Sequence, residues 1–470
     1  VLALLVWAAS ASASTVTTTE DGGPGSLRQL IAEAPRGETI NVPAGTYVLN
    51  QGVLEVDDAL TIAGAGAGTT TISGAGEQRI FVVETGKRTA NVTLSGLTLT
   101  EAKSSGEDAV FGSAVLARGG KLTLTLRDDV VSQNETVLTG EERFRFGLGG
   151  AVFFSGASID VESTKIVGNT LVGNGDGFRL AGGILEGGGI ATVTTGLLTV
   201  RNSAVEGNLA EAAAGPKAPE GGTVFGAGAN LIAFGPALIA DSTFAGNVGD
   251  VRGGESAPDG DSEGGGLFFV SGGKNEIARV TIADNVLRAG AGFAAGGGLF
   301  VDEQGGAEVT ASTIASNSVE GGPRSFGGNV GTRGPVRFAG TIVANGIGPA
   351  GAQNCGVATR EENEGENPSL SSEGFNLDSA DQCGFHVPGD VVGRNPQLGP
   401  LSDNGGPTKT LLPATGSPVI DQGSSRRMTV DQRGLRRPVD LAGVPNATAD
   451  GADGADIGSA EVQETSPRRR

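Results

Sequence analysis

GGGLFFVSGGKNEIARVTIADN, from Gly264 to Asn285, reads as a glycine cluster, a short apolar strand, a turn, and an alternating run that ends on asparagine. The unit recurs along the chain. Seven segments align on a terminal asparagine, at Asn134, Asn169, Asn208, Asn247, Asn285, Asn317 and Asn345, in steps of 35, 39, 39, 38, 32 and 28 residues. Three positions before these stand Val131, Ile166, Val205, Phe244, Ile282, Ile314 and Ile342. Eight positions before stand Leu126, Val161, Val200, Ile239, Ile277 and Val309, with Arg337 the exception. Glycine-led runs open at Gly149, Gly187, Gly226, Gly264, Gly296 and Gly327, and Phe111 begins the equivalent run of the first unit.

Each unit holds about three short strands and no helix, too little to bury its own apolar side. Stacked as turns of a coil, with successive turns paired as parallel strands, the units place these apolar residues in continuous columns. The spacing therefore predicts an all-β parallel solenoid. Alternate positions such as Ser163, Asn202 and Asp241 point outward. Asparagine tolerates a left-handed turn, and its amide can bond its counterpart in the next coil, so the seven are expected to form a structural ladder. The bland alternative is seven surface turns. About ten coils at a strand spacing of roughly 4.8 Å make a rod on the order of 50 Å long.

Glycine is abundant, with 82 residues, which fits a turn reused many times. The balance of 33 basic against 53 acidic residues, a net charge of -20, disfavours nucleic acid as a partner and suits a soluble, exposed protein or one that takes divalent cations. VLALLVWA at Val1 to Ala8, followed by small residues to Ala13, has the form of the end of a secretory signal, with export and cleavage after Ala13 expected. Nothing later is long enough to span a bilayer. Cys355 and Cys383 are the only cysteines, and in an exported protein an isolated pair most simply forms one disulfide, two free thiols being the alternative.

SLRQLIAEA, Ser26 to Ala34, is a helix pattern with Leu27, Leu30, Ile31 and Ala34 on one face, a capping box at Ser26 and Gln29, and a stop at Pro35. It is expected to cover one open end of the coil, where unpaired strand edges invite aggregation. Between asparagines and glycine clusters lie loops of 14, 17, 17, 16, 10 and 9 residues, expected on one wall. Phe146, Phe178, Phe225, Phe293 and Phe326 fall within them, either as an apolar binding stripe or as an outer stack that pins the loops. After Asn345 the pattern stops. An acidic stretch, Glu361 to Glu366, lies between the cysteines, and a Pro-, Gly- and Asp-rich region follows that reads as an irregular cap on the other end. The boundaries expected are a signal remnant at 1–13, an N-terminal cap at 14–50, the solenoid at 51–350, the C-terminal cap at 351–461 and a disordered tail at 462–470.

SLRQLIAEAPRGETINVPAGTYVL resembles the CSLREA-type N-terminal motif of exported bacterial β-helix proteins, with Gly25 where that motif has cysteine. The glycine-led and asparagine-ended segments resemble a right-handed parallel β-helix of pectate-lyase-like shape, and also the GGA and FxxN repeats of polymorphic outer-membrane proteins. Only FAGN, Phe244 to Asn247, matches FxxN outright. NPQLGPLSDNGGPT, GSPVIDQG, VDQRGLRRP and ADIGSAE resemble the choice-of-anchor Q domain. The resemblance implies an exported or surface-displayed bacterial β-helix, with no settled activity.

The shape makes a polysaccharide lyase or glycoside hydrolase the enzyme hypothesis, carried by fold analogy alone. Such chemistry needs close carboxylates, with calcium and a basic residue in a lyase. The outward acids Asp128, Asp160, Asp241 and Asp284 do not gather in one outward column with a basic neighbour. Without its leader the chain has no Trp, and Tyr47 is its one Tyr. Asp259, Asp261 and Glu263 are the calcium candidates, against a plain solvated acidic loop. His386 beside Cys383 suggests a metal or nucleophile pair only if that cysteine is free. Asp431, Arg433 and Asp456 read as ion pairs within the cap. The expectation is a monomeric, secreted or cell-surface rod without a cofactor, which presents loops to a glycan or protein. A carbohydrate-active enzyme on the same scaffold is the alternative. An enzyme would gather acidic and basic side chains in one groove; a display rod would show an uninterrupted polar wall.

Overall fold

Alternation of apolar and polar residues builds the walls of this molecule, and parallel pairing stacks them. The computed structural model describes residues 13–139, 145–174, 183–214, 221–253, 260–303, 305–358 and 369–464. The residues before Ala13, expected to be a signal remnant and including Trp7, and Phe178, Asp259, Glu361 to Glu366, and Arg468 to Arg470 lie outside the described residues. Ala13–Thr15 is a short strand paired with Thr39 to Asn41.

The chain is a parallel β-helix. Its front wall stacks ten strands, from Leu54–Val56 to Cys355–Val357. A bend leads to a side wall, whose strands include Leu198–Arg201, Ala237–Ala240 and Asn275–Ala278. The back wall runs through twelve strands from Gly45–Val48 to Val391–Val392. Val161, Val200, Ile239, Ile277, Val309 and Phe338 stand in register on the side wall and are all buried. Ile166, Val205, Phe244, Ile282, Ile314 and Val343 do the same on the back wall.

Four expectations are corrected. The segments between asparagine and glycine are not simple loops. Five of the six carry one strand out and another back, and these stack into a fin: eight parallel strands from Lys103–Gly106 to Ile347–Gly348, and six from Ala109–Phe111 to Ala294–Ala295. Alternation after the asparagine drives this, because Leu138, Leu171, Ala210, Ala212 and Val251 point into the fin's own apolar seam. Second, about eight turns carry every wall, fewer than the ten expected, and the turns at both ends lack the fin.

Third, the last repeat lies one residue out of step with the asparagine spacing. Phe338 pairs with Val309 and Val343 with Ile314, whereas Arg337 faces outward beside Glu308. A one-residue slip moves every side chain to the opposite face. The place of asparagine in this coil is therefore Gly346, and Asn345 stands at the left-handed corner before it (φ 57°). Fourth, the C-terminal region is more than an end cap. The disulfide Cys355–Cys383 and Phe385 do close the last coil. From about residue 396 the chain then turns back along the outside of the back wall. Ser459 N–H donates to Thr313 Oγ1 at 3.0 Å, Thr281 Oγ1 to Gln432 Oε1 at 2.7 Å, and Lys409 reaches Glu206 at 2.6 Å. The back-wall strands Thr243–Ala245, Thr281–Ala283 and Thr313–Ala315 are small on their outer face and buried on both, which gives this strap a flat seat.

The amide ladder exists, with changed membership. Asn134 Nδ2 donates to Asn169 Oδ1 at 2.9 Å, and the chain of bonds continues through Asn208, Asn247, Asn285 and Asn317. It then leaves the predicted series for Asn329 and Asn354 and ends on Asp378. Asn345 takes no part; its N–H donates to Ser379. The glycine clusters serve this ladder. Gly264 is left-handed (φ 72°), a Cβ on Gly265 would lie 2.2 Å from the Gly297 carbonyl, and one on Gly266 would lie 2.8 Å from Asn285 Nδ2.

At the other end, the helix Leu27–Glu33 begins where expected. Ser26 Oγ accepts from Gln29 N–H at 3.2 Å, and Gln29 Oε1 accepts from Gly25 N–H at 2.8 Å. Leu27 and Ile31 are buried over the first coil.

Candidate functional site

Two columns of side chains meet where the fin joins the front wall. Along the wall, outward positions read Leu116, Phe153, Ala191, Asn230, Phe268 and Phe300. Along the inner edge of the fin, the residues just before the glycine runs read Phe111, Leu148, Glu186, Phe225, Glu263 and Ala295. The glycine corner between them is tight, so the columns face each other. The rings of Phe111 and Phe153 lie 5.0 Å apart, as do those of Phe225 and Phe268, and Phe268 stacks on Phe300 at 5.6 Å. These contacts make an apolar floor.

Charge enters this floor at two coils. Asn230, only 1% exposed, donates from Nδ2 to Glu186 Oε2 at 3.2 Å. Its Oδ1 has no hydrogen-bond partner among the described residues. Burial pushes the Glu186 carboxyl up to about 7. Two rungs further, roughly 10 Å away, Glu263 is 1% exposed and engages the Arg333 guanidinium with both oxygens, one contact at 2.8 Å. Burial raises the Glu263 carboxyl above its usual range, while Arg333 pulls the other way. Arg333 also reaches Asp302 at 3.4 Å and lies 4.9 Å over the Phe300 ring. Glu186, Asn230, Phe234, Glu263, Asp302 and Arg333 all line one cleft of about 370 Å³. Phe234, on its lip, is 57% exposed. A second cleft continues toward the N-terminal coils, where Arg118 stacks over Phe111 at 3.9 Å.

The residues singled out from sequence fall unevenly around this groove. Glu263 belongs to it, but its oxygens are committed to Arg333. Asp261 lines the same cleft and is exposed. Among the described residues no group of three or more His, Cys, Asp and Glu is placed to hold a metal ion. Asp128 and Asp241 sit at one left-handed corner and Asp284 at another, while Asp160 lies within the side wall. They do not converge: Asp241 is paired with Arg279 at 2.6 Å and Asp160 with Arg201 at 3.6 Å. His386 is exposed beside Asp381, and Cys383 is bridged. Asp431 holds Arg433 at 2.6 Å in the strap, and Asp456 accepts the N–H groups of Asp421 and Val462. Phe225, Phe293 and Phe326 join the apolar floor, whereas Phe146 is exposed at the start of its strand.

The front wall is thus not the uninterrupted polar wall expected of a display rod. Glu186, Asn230, Asp302 and Arg333 were missed. A signal existed in LEGGG and SEGGG, which put a glutamate at the same place before two glycine runs, with the aromatic Phe225 between them in register.

No family model matches this chain. No curated protein matches it either. Among solved structures it is similar to pectate lyase Pel9A, at 14% identity and TM-score 0.47 over 96% of this chain and 98% of that one. It is also similar to the A-module of the Azotobacter vinelandii mannuronan C-5 epimerase AlgE6, at 14% identity and TM-score 0.27 over 77% and 92% of the two chains. A mannuronic acid specific polysaccharide family 6 lyase from human gut microbiota has 11% identity and TM-score 0.27 over 80% and 89%. These likenesses concern the fold.

Proposed function

We propose that this chain is an exported or cell-surface β-helix protein that binds a glycan in the front groove. The proposal includes the choice-of-anchor Q and CSLREA-type kinship read from its sequence. The observation that carries it is one cleft in which an exposed aromatic ring, Phe234, stands beside a buried acceptor without a partner, Asn230 Oδ1. A sugar offers both matching surfaces, an apolar C–H face and hydroxyl donors. Export is supported by the apolar leader pattern and by the disulfide. No helix among the described residues is long and apolar enough to cross a membrane.

Binding without cleavage is the reading adopted, because Glu263, the carboxylate nearest in register to Glu186, is held by Arg333. The test combines gel retardation in soluble polysaccharides with release of reducing ends and unsaturated uronates, with and without calcium. Retardation is expected, weakened about tenfold by Phe234→Ala and by Glu186→Gln with the circular dichroism spectrum unchanged. Retention unaffected by either variant would remove the groove from the reading. Turnover would turn it into a carbohydrate-active enzyme with Glu186 as the acid.

A further inference from the structure

The polar groups of the cleft are not balanced between donors and acceptors. Glu186, Asp261, Glu263 and Asp302 face one cation, Arg333, and that cation is spent on Glu263 and Asp302. One side-chain N–H of Asn230 is used on Glu186, and its Oδ1 has no partner among the described residues, in a residue 1% exposed. A carboxylate or sulfate brings only acceptors and negative charge, so in this cleft it would meet carboxylates in excess of the single cation. Hydroxyl and ammonium groups bring donors. The apolar part, Phe234 with Ile232 and Val270, supplies a surface on which a pyranose ring can lie. Among the described residues that line the groove, the other cation is Arg118, which is three coils away from Ile232, stacks on Phe111, and has Glu84 as its neighbour in register.

Resting on the glycan-binding reading, we infer that this cleft selects saccharides that donate hydrogen bonds and carry no negative charge, neutral or amino sugars, and rejects polyuronates. The shared chemistry is the donor-rich, non-anionic ring; the arms of the test separate its two sources.

The test titrates the full chain against laminarin, pullulan and xyloglucan as neutral glycans, against chitosan oligosaccharides, and against polygalacturonate, at low and at 0.5 M salt. Neutral glycan or chitosan is expected to bind at least tenfold more tightly than polygalacturonate. Binding that survives high salt identifies the neutral source, and binding lost in it identifies the amino sugar. The double variant Asp261→Asn with Asp302→Asn should narrow the gap by raising polygalacturonate affinity, a gain that misfolding cannot imitate. Polygalacturonate bound as tightly as the others by the parent chain overturns the inference and leaves the glycan reading in place. So does selective binding that Phe234→Ala does not weaken, since the ligand then lies elsewhere. Failure to bind any of the five overturns the glycan reading itself, and this inference with it.

Discussion

Asn247→Asp is expected to destabilise the protein by roughly 3–5 kcal/mol, about the cost of an unpaired buried charge. The side chain of Asn247 is fully enclosed, and each of its bonds has a fixed direction. Its Oδ1 accepts from Asn208 Nδ2 at 3.0 Å and from Asn208 N–H at 3.0 Å. Its Nδ2 donates to Asn285 Oδ1 at 2.9 Å and to the Val205 carbonyl at 2.9 Å. An aspartate keeps the first pair and reverses the second, so an anion faces two acceptors with no proton between them. Asn247→Ala, which leaves a gap and stranded partners but no charge, should cost less, roughly 1–3 kcal/mol. Urea unfolding of the three proteins at pH 7 checks the order. Equal losses for the two variants would mean that the ladder matters as packing and not as directed bonding.

Arg437→Met should destabilise the strap by a similar amount, and more at pH 8 than at pH 5. Arg437 is fully buried; it donates to the carbonyls of Gly458 at 2.7 Å and Asp456 at 2.5 Å, and its guanidinium lies 3.7 Å from Glu461. Burial pushes the Glu461 carboxyl up to about 8 and Asp456 up to about 6. A carboxyl raised on folding stabilises most fully below its unfolded value, and that contribution is lost as pH rises through the folded one. The parent protein should therefore lose several degrees of Tm between about pH 5 and pH 8. Without Arg437 the same carboxylates ionise with no counter-charge, so the slope should steepen. Thermal unfolding of both proteins across this range is the measurement. Parallel curves would show that Arg437 acts there through its neutral hydrogen bonds alone.

The walls were legible because their code is local: two-residue alternation within strands, and a repeat near the length of one coil. The slip at Asn345 shows where that code weakens. Its coil has Gly346 at the ladder position, and the amide it lacks comes from Asn329, across the coil, which no sequence spacing links to the series. Loop length alone hides the fin, although Thr136 and Leu138, or Ala210 and Ala212, alternate as plainly as any wall strand. The strap was hidden for a different reason. Gln432 meets Thr243 across 189 residues, and such a partner leaves no periodic trace. Its seat did leave one, in the uncharged outer faces of TFA, TIA and TIA. The groove was the least visible, since Glu186, Asn230 and Arg333 belong to separate coils and converge only once the register is known.

The strap also sets the order in which the solenoid can come apart. A stack in which each turn touches only its neighbours unravels from whichever end is weaker. Here residues beyond 400 bond to back-wall strands from Glu206 to Thr313, so those turns are tied to one another as well as to their neighbours. They open together or not at all. Among the described residues the turns before Lys165 have no such tie, and amide hydrogen exchange should begin in that half. Synthesis runs the other way. The untied half emerges first and must hold its shape on ladder and core alone, until the residues beyond 400 arrive to fasten the half that follows it.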